Sequence, residues 1–120
     1  MIMITVSEAR KVYPAPSVPD GRVVIGKPVE VVYDLSGSGY SGPFELEFVL
    51  DNQDDVGPVS QKVPWVPGKP IKIEMRPFKG FEVGDKVRAR AWLYYIVQDP
   101  QDPFLIRVET PYSQTYDVVA

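Results

Sequence analysis

Apolar and polar residues alternate strictly in several short stretches of this chain, and Pro or Gly closes each one. In Phe44-Glu45-Leu46-Glu47-Phe48, Ile71-Lys72-Ile73-Glu74-Met75 and Val87-Arg88-Ala89-Arg90-Ala91 every second side chain is apolar and those between are charged. Successive side chains of a strand point to opposite faces, so this period of two predicts strands with one buried and one solvated face. No comparable stretch repeats at helical spacing, and the chain is expected to be all-β.

The pattern predicts a short strand over residues 2–7, then an extended, polyproline-like arm over Tyr13–Asp20 that packs along the domain. Strands follow over Val29–Leu35 and Phe44–Leu50, with a weaker one over Val59–Val63 and another over Pro70–Met75. The longest runs from Lys86 to Val97; the tandem turn Gln98-Asp99-Pro100-Gln101-Asp102-Pro103 then launches Phe104–Glu109, and Tyr112–Val119 completes the set. Seven to eight strands at roughly 8- to 14-residue intervals predict one immunoglobulin-like antiparallel β-sandwich over 1–120, its proline-rich arm taking about the first 20 residues.

Three segments carry a family resemblance: Gly26-Lys27-Pro28-Val29-Glu30-Val31-Val32-Tyr33-Asp34-Leu35-Ser36-Gly37, Val66-Pro67-Gly68-Lys69-Pro70-Ile71-Lys72-Ile73, and Phe81-Glu82-Val83-Gly84-Asp85-Lys86-Val87-Arg88-Ala89. In their sequence of Gly turn, Pro-Gly connection and second Gly turn they resemble the bacterial and archaeal adhesion-related modules of the CARDB and fibronectin III type. The resemblance implies a sandwich and a binding role at a surface.

Composition narrows the chemistry. A chain of 120 residues buries roughly two-thirds of its unfolded surface and needs no staple. It has no Cys and no His, which removes thiol catalysis, thiolate metal sites, the commonest general base and the Ser/His pairing together. No Ser, Thr or Lys stands in a G-x-S-x-G or S-x-x-K context. The expectation is no enzyme, no cofactor and no metal. Asp51, Asp54 and Asp55 share one turn, but Gln53 and Val56 interrupt the alternation a calcium loop requires, and a solvated turn is expected.

The formal charge of −3 comes from 16 acidic and 13 basic residues without a basic block, so nucleic acid is not an expected partner. No apolar run reaches a membrane span, and the first residues lack the apolar core of a signal peptide; no membrane insertion and synthesis in the cytoplasm are expected. The 13 prolines lie mostly between the alternating runs, where they stiffen connections; they suit a thermophilic source, and equally a sandwich punctuated by Pro.

The binding candidates lie on the longest strand and the one after it. Arg88, Arg90, Trp92, Tyr94 and Ile96 fall on the polar parity of Lys86–Val97; the return strand adds the apolar Phe104, Leu105 and Ile106, of which Phe104 and Ile106 are taken as binding candidates. The arginines are expected mainly to form a charge ladder, with Glu45 and Glu47 facing Lys86, Arg88 and Arg90. A hairpin apolar on both faces must be covered by its own chain, here through Tyr13, Pro14 and Pro16, or meet another molecule.

Taken together, the sequence points to a non-enzymatic structural or assembly protein that binds protein subunits as a homo-oligomer or within a particle shell. A capsid decoration, tail or fibre of a virion combines a surface fold with a chain that carries no export signal. The alternative is a carbohydrate- or protein-binding module of a surface protein, with Trp92, Tyr94 and Tyr40 as an aromatic platform for a glycan.

Overall fold

The computed structural model describes residues 3–35, 40, 42–66, 68–76, 80–99 and 101–120. The described residues are nearly all β, with 44% strand and 4% helix. Its elements are β1 (Met3–Ile4), α1 (Val6–Ala9), β2 (Arg22–Val24), β3 (Val29–Tyr33), β4 (Glu45–Asp51), β5 (Val63–Pro64), β6 (Ile71–Met75), β7 (Lys86–Val97), β8 (Phe104–Glu109) and β9 (Tyr116–Val119). The described residues thus hold nine strands, more than the seven or eight expected.

One sheet runs β2-β9-β7-β4-β5, with β1 and β8 also on β7; the second pairs β3 with β6. The chain crosses to the second sheet at β3 and again at β6, and returns to the larger sheet after each. The sequence predicts antiparallel sheets throughout, but two pairings depart from that: β1 runs parallel to β7 and β2 parallel to β9. Both parallel strands come from the first quarter of the chain, which returns along strands that are already paired.

The alternation predicts the buried faces well because each face meets a different solvent. On β7 the residues Val87, Ala89, Ala91, Leu93, Tyr95 and Val97 are fully buried, and the intervening ones are partly exposed. They form one core with Leu46, Phe48 and Leu50 of β4 and Val29, Val31 and Tyr33 of β3. Tyr33 meets Phe48 edge-on, with ring centroids 6.1 Å apart, and locks the sheets together. Ile71 and Ile73 on β6 face the same core but stay half-buried, because among the described strands β6 pairs with β3 alone and lies at an edge.

The N-terminal segment departs from expectation. The strand expected over 2–7 is only two residues long and passes into α1, which Thr5 caps by accepting the Glu8 N–H at 3.1 Å. Four helical residues are too few to repeat an apolar position. The arm that follows does pack along the domain: Tyr13, Pro16 and Val18 are buried, and Ser17 bridges to Val32 through backbone hydrogen bonds of 2.9 Å in both directions.

Between β8 and β9 the chain leaves the ladder at Pro111, but side chains keep it on the sheet. Thr110 Oγ1 accepts the Ala91 N–H at 2.9 Å, and Ser113 Oγ accepts the Ala89 N–H at 2.8 Å. The last strand is therefore shorter than the expected 112–119. Most of the loop expected at 36–42, and Pro100 in the tandem turn, lie outside the described residues.

Candidate functional site

The outward parity of β7 places Arg88, Arg90, Trp92, Tyr94 and Ile96 in one row on the solvent face of the larger sheet. The β4 register sets Asp51 opposite Arg88, Glu47 opposite Trp92 and Glu45 opposite Tyr94. On the other flank, Glu109 faces Trp92, Arg107 faces Tyr94 and Leu105 faces Ile96. At the far end Met3 of β1 stands beside Ile96.

This register corrects the expected charge ladder. Glu45 and Glu47 do not face the basic residues of β7, because β4 and β7 pair toward the aromatic end. The ion pairs run elsewhere: Lys86 with Asp117, Arg88 with Asp55 at 3.0 Å, and Arg90 with Glu109 at 3.6 Å. The expectation that the arginines have structural partners holds, but the acids come from β8, β9 and the turn after β4.

Cations and rings interleave along the row. The Arg88 guanidinium lies 3.7 Å from the centre of the Tyr112 ring, and that of Arg90 lies 4.8 Å from the same ring and 5.8 Å from Trp92. Arg107 lies 4.4 Å from the Trp92 ring, and Lys62 the same distance from Tyr94. The hydroxyl of Tyr94 donates to Glu47 and that of Tyr112 to Asp51 at 2.9 Å. Burial first, and then the adjoining carboxylate, raise the pKa of both phenols. Arg88 Nε, Arg90 Nε and Trp92 Nε1 are covered and have no hydrogen-bond partner among the described residues.

The three aromatics of the supposed glycan platform are thus engaged. Arg107 lies over Trp92 and Lys62 over Tyr94, while Tyr40 packs 5.3 Å from Tyr13 and donates its hydroxyl to the Val12 carbonyl.

Phe104 and Ile106 do not join this row. Phe104 pairs with Val97 and Ile106 with Tyr95, so both point to the inner face, opposite Ile96. Grouping them with Ile96 overlooked that the register sums to an odd number across this hairpin, which puts the even residues of β8 inward. The seven candidates therefore divide between two faces. Leu105, named with Phe104 and Ile106 as apolar but not as a binding candidate, is the β8 residue beside Ile96; its place as the middle of three consecutive apolar residues hid its parity.

On the inner side the N-terminal segment closes over β7 but not over β8. Ile4 lies beside Val97, and Tyr13 stacks 5.6 Å from Tyr95. A shallow groove of about 430 Å³ remains between α1 and β8, lined by Val6, Ala9, Val97, Phe104, Ile106 and Val108. Of the arm residues expected to cover the hairpin, Tyr13 and Pro16 are buried and Pro14 is exposed.

Asp51, Asp54 and Asp55 do not converge. Asp51 is buried against Tyr112, Asp55 pairs with Arg88, and the Asp54 N–H donates to Asn52 Oδ1 at 3.0 Å. Among the described residues, no group of His, Cys, Asp and Glu could hold a metal ion. No helix among them is long and apolar enough to cross a membrane.

Comparison with known proteins finds no family model that matches this chain and no curated protein or solved structure similar to it.

Proposed function

We propose that this chain is a non-enzymatic assembly domain, a building block or surface decoration of a protein particle such as a virion, that holds neighbouring protein subunits through its β7–β8 hairpin. The observation that carries this reading is apolar exposure on both faces at one end of the hairpin. Leu105 is 59% and Met3 49% exposed on one face, and Phe104 is 45% and Val6 44% exposed on the other. Apolar groups gathered at one end of a small domain gain most by meeting another protein.

The rest of the outer row supports the same reading. A rigid ladder of stacked Arg, Trp and Tyr residues presents a preformed surface at little entropic cost, and such residues dominate protein contacts. The glycan alternative is weaker, because a sugar stacks on an open ring face and cations already lie over Trp92 and Tyr94. The resemblance to adhesion modules accords with a surface role in either case.

The test is a photo-crosslinking amino acid at Leu105 in the organism that makes the protein. Adducts to one or a few protein subunits, lost in a Phe104→Asp/Leu105→Asp background that keeps its β circular dichroism, support the reading. Absence of protein adducts, or saturable glycan binding that disappears with Trp92→Ala, overturns it.

A further inference from the structure

β8 is an edge strand whose outer edge no described strand pairs with. Thr110 N–H donates to the Ala91 carbonyl at 3.0 Å, which fixes the alternation of the ladder. Phe104, Ile106 and Val108 direct their backbone groups toward β7; Leu105, Arg107 and Glu109 direct theirs to the open edge. Pro103 and Pro111 stand where the next outward N–H groups would be. The open edge is therefore a bounded row of three donors, and β9 beyond it is already covered by β2.

The side chains on this edge complement themselves. Arg107 and Glu109 share the outer face, 3.6 Å apart, and each is 47% exposed. Two copies of β8 meeting antiparallel about a two-fold axis must choose a centre. Centred on Arg107, the two guanidinium groups would face each other, and like charges directly opposite are unfavourable. Centred on Ile106, Leu105 would face Arg107. Centred on Val108, each Arg107 faces Glu109 of the other copy, Leu105 faces Pro111, and Val108 faces its own copy on the inner side. All three registers can use the three outward N–H groups, so charge decides among them.

We propose that this chain pairs with a second copy of itself by antiparallel addition of β8 to β8, centred on Val108, so that the larger sheets of two molecules become one. The inference rests on the assembly reading above and names its partner. The paired edge sets Val108 of each molecule beside its own copy on the inner face and joins Arg107 to Glu109 across the outer face, so both faces of the strand contribute to the contact.

The absence of cysteine makes the test clean. Facing residues of a non-hydrogen-bonded antiparallel pair have Cα atoms about 4.5 Å apart, within disulfide range. Val108→Cys in the full chain should give a disulfide-linked dimer under mild oxidation, and Ile106→Cys, which faces Thr110 of the copy, should not. In sedimentation equilibrium, Arg107→Glu should weaken the dimer at least about tenfold, and Arg107→Glu/Glu109→Arg should restore it. Wild-type protein that stays monomeric to about 1 mM, cross-linking at Ile106→Cys in place of Val108→Cys, or a double variant no better than Arg107→Glu overturns the proposal. A monomeric chain that still gives Leu105 adducts to another protein overturns the self-pairing alone and leaves the assembly reading standing.

Discussion

Tyr13 packs against Tyr95 with ring centroids 5.6 Å apart, and its hydroxyl donates to the Glu8 carbonyl at 2.8 Å. One residue of the arm thus completes the core over β7 and ties down the helix before it. The arm is structural, and removing the Tyr13 ring should cost about 3–5 kcal/mol, as large-to-small core changes of aromatics do. Tyr13→Phe keeps the ring and loses one hydrogen bond, so about 0.5–1.5 kcal/mol is expected. Urea melts of the two variants check the order; equal costs would mean that the arm is held by its polar contacts.

The strand register makes a second prediction. Leu46 is fully buried, whereas Glu45 sits on the outer face opposite Tyr94. Leu46→Ala should cost about 2–5 kcal/mol and Glu45→Ala about 1 kcal/mol or less. A reversed order in denaturant melts would place β4 one residue out of register, since such a slip exchanges the faces.

The two sheets were legible because most of the length of the strands from β3 onward borders water on one side, so solvent writes the alternation; it fails at the end of β4, where Val49, Leu50 and Asp51 are all buried. β7 and β8 appear with the bounds that the sequence predicts. What was illegible was local or relational. Arg22–Val24 is three residues long, and its pairing with β9 depends on a partner nearly a hundred positions away. The assignment of Phe104 failed because parity within a strand is local, whereas parity across a hairpin depends on the turn, and QDPQDP does not specify a two-residue turn. The ionic partners of Lys86, Arg88 and Arg90 were missed for the same reason: the acids arrive from three different segments.

Alkali should unfold this protein more steeply than its carboxylates and amines would. Burial raises the pKa of Tyr13, Tyr33 and Tyr95 above the ordinary 10.0, with Tyr33 and Tyr95 shifted furthest. A raised phenol keeps its proton in the folded state while the unfolded chain loses it. Its contribution is therefore complete below about pH 10 and declines above that, by about 1.4 kcal/mol per pH unit for each buried group until the folded value is reached. Stability measured between about pH 9 and 12 should fall along this slope, and phenolate absorbance from these residues should appear only with unfolding. A reversible titration of all seven tyrosines near their ordinary pKa in the folded protein would contradict the packing described.

Gly57 offers the sharpest local test. A Cβ built there would lie 1.5 Å from the Leu50 carbonyl oxygen and 3.1 Å from the Asp51 Cα. The approach is this close because the turn folds back onto the end of β4: the Leu50 N–H donates to the Pro58 carbonyl at 3.1 Å and the Asn52 N–H to the Val56 carbonyl at 3.0 Å. Backbone oxygen cannot rotate away as a side chain can, so Gly57→Ala must lift the turn off the strand. With it would go the Asp55 carboxylate that pairs with Arg88 at the base of the outer row. The expected loss is about 3 kcal/mol or more, the upper end of overpacking. Gly26→Ala is the control: it has open space around it and a φ of +79°, so it should lose only the left-handed strain of about 1–2 kcal/mol. Urea melts should rank Gly57→Ala well below Gly26→Ala in stability, and equal or inverted values would mean that the turn does not press on β4 as described.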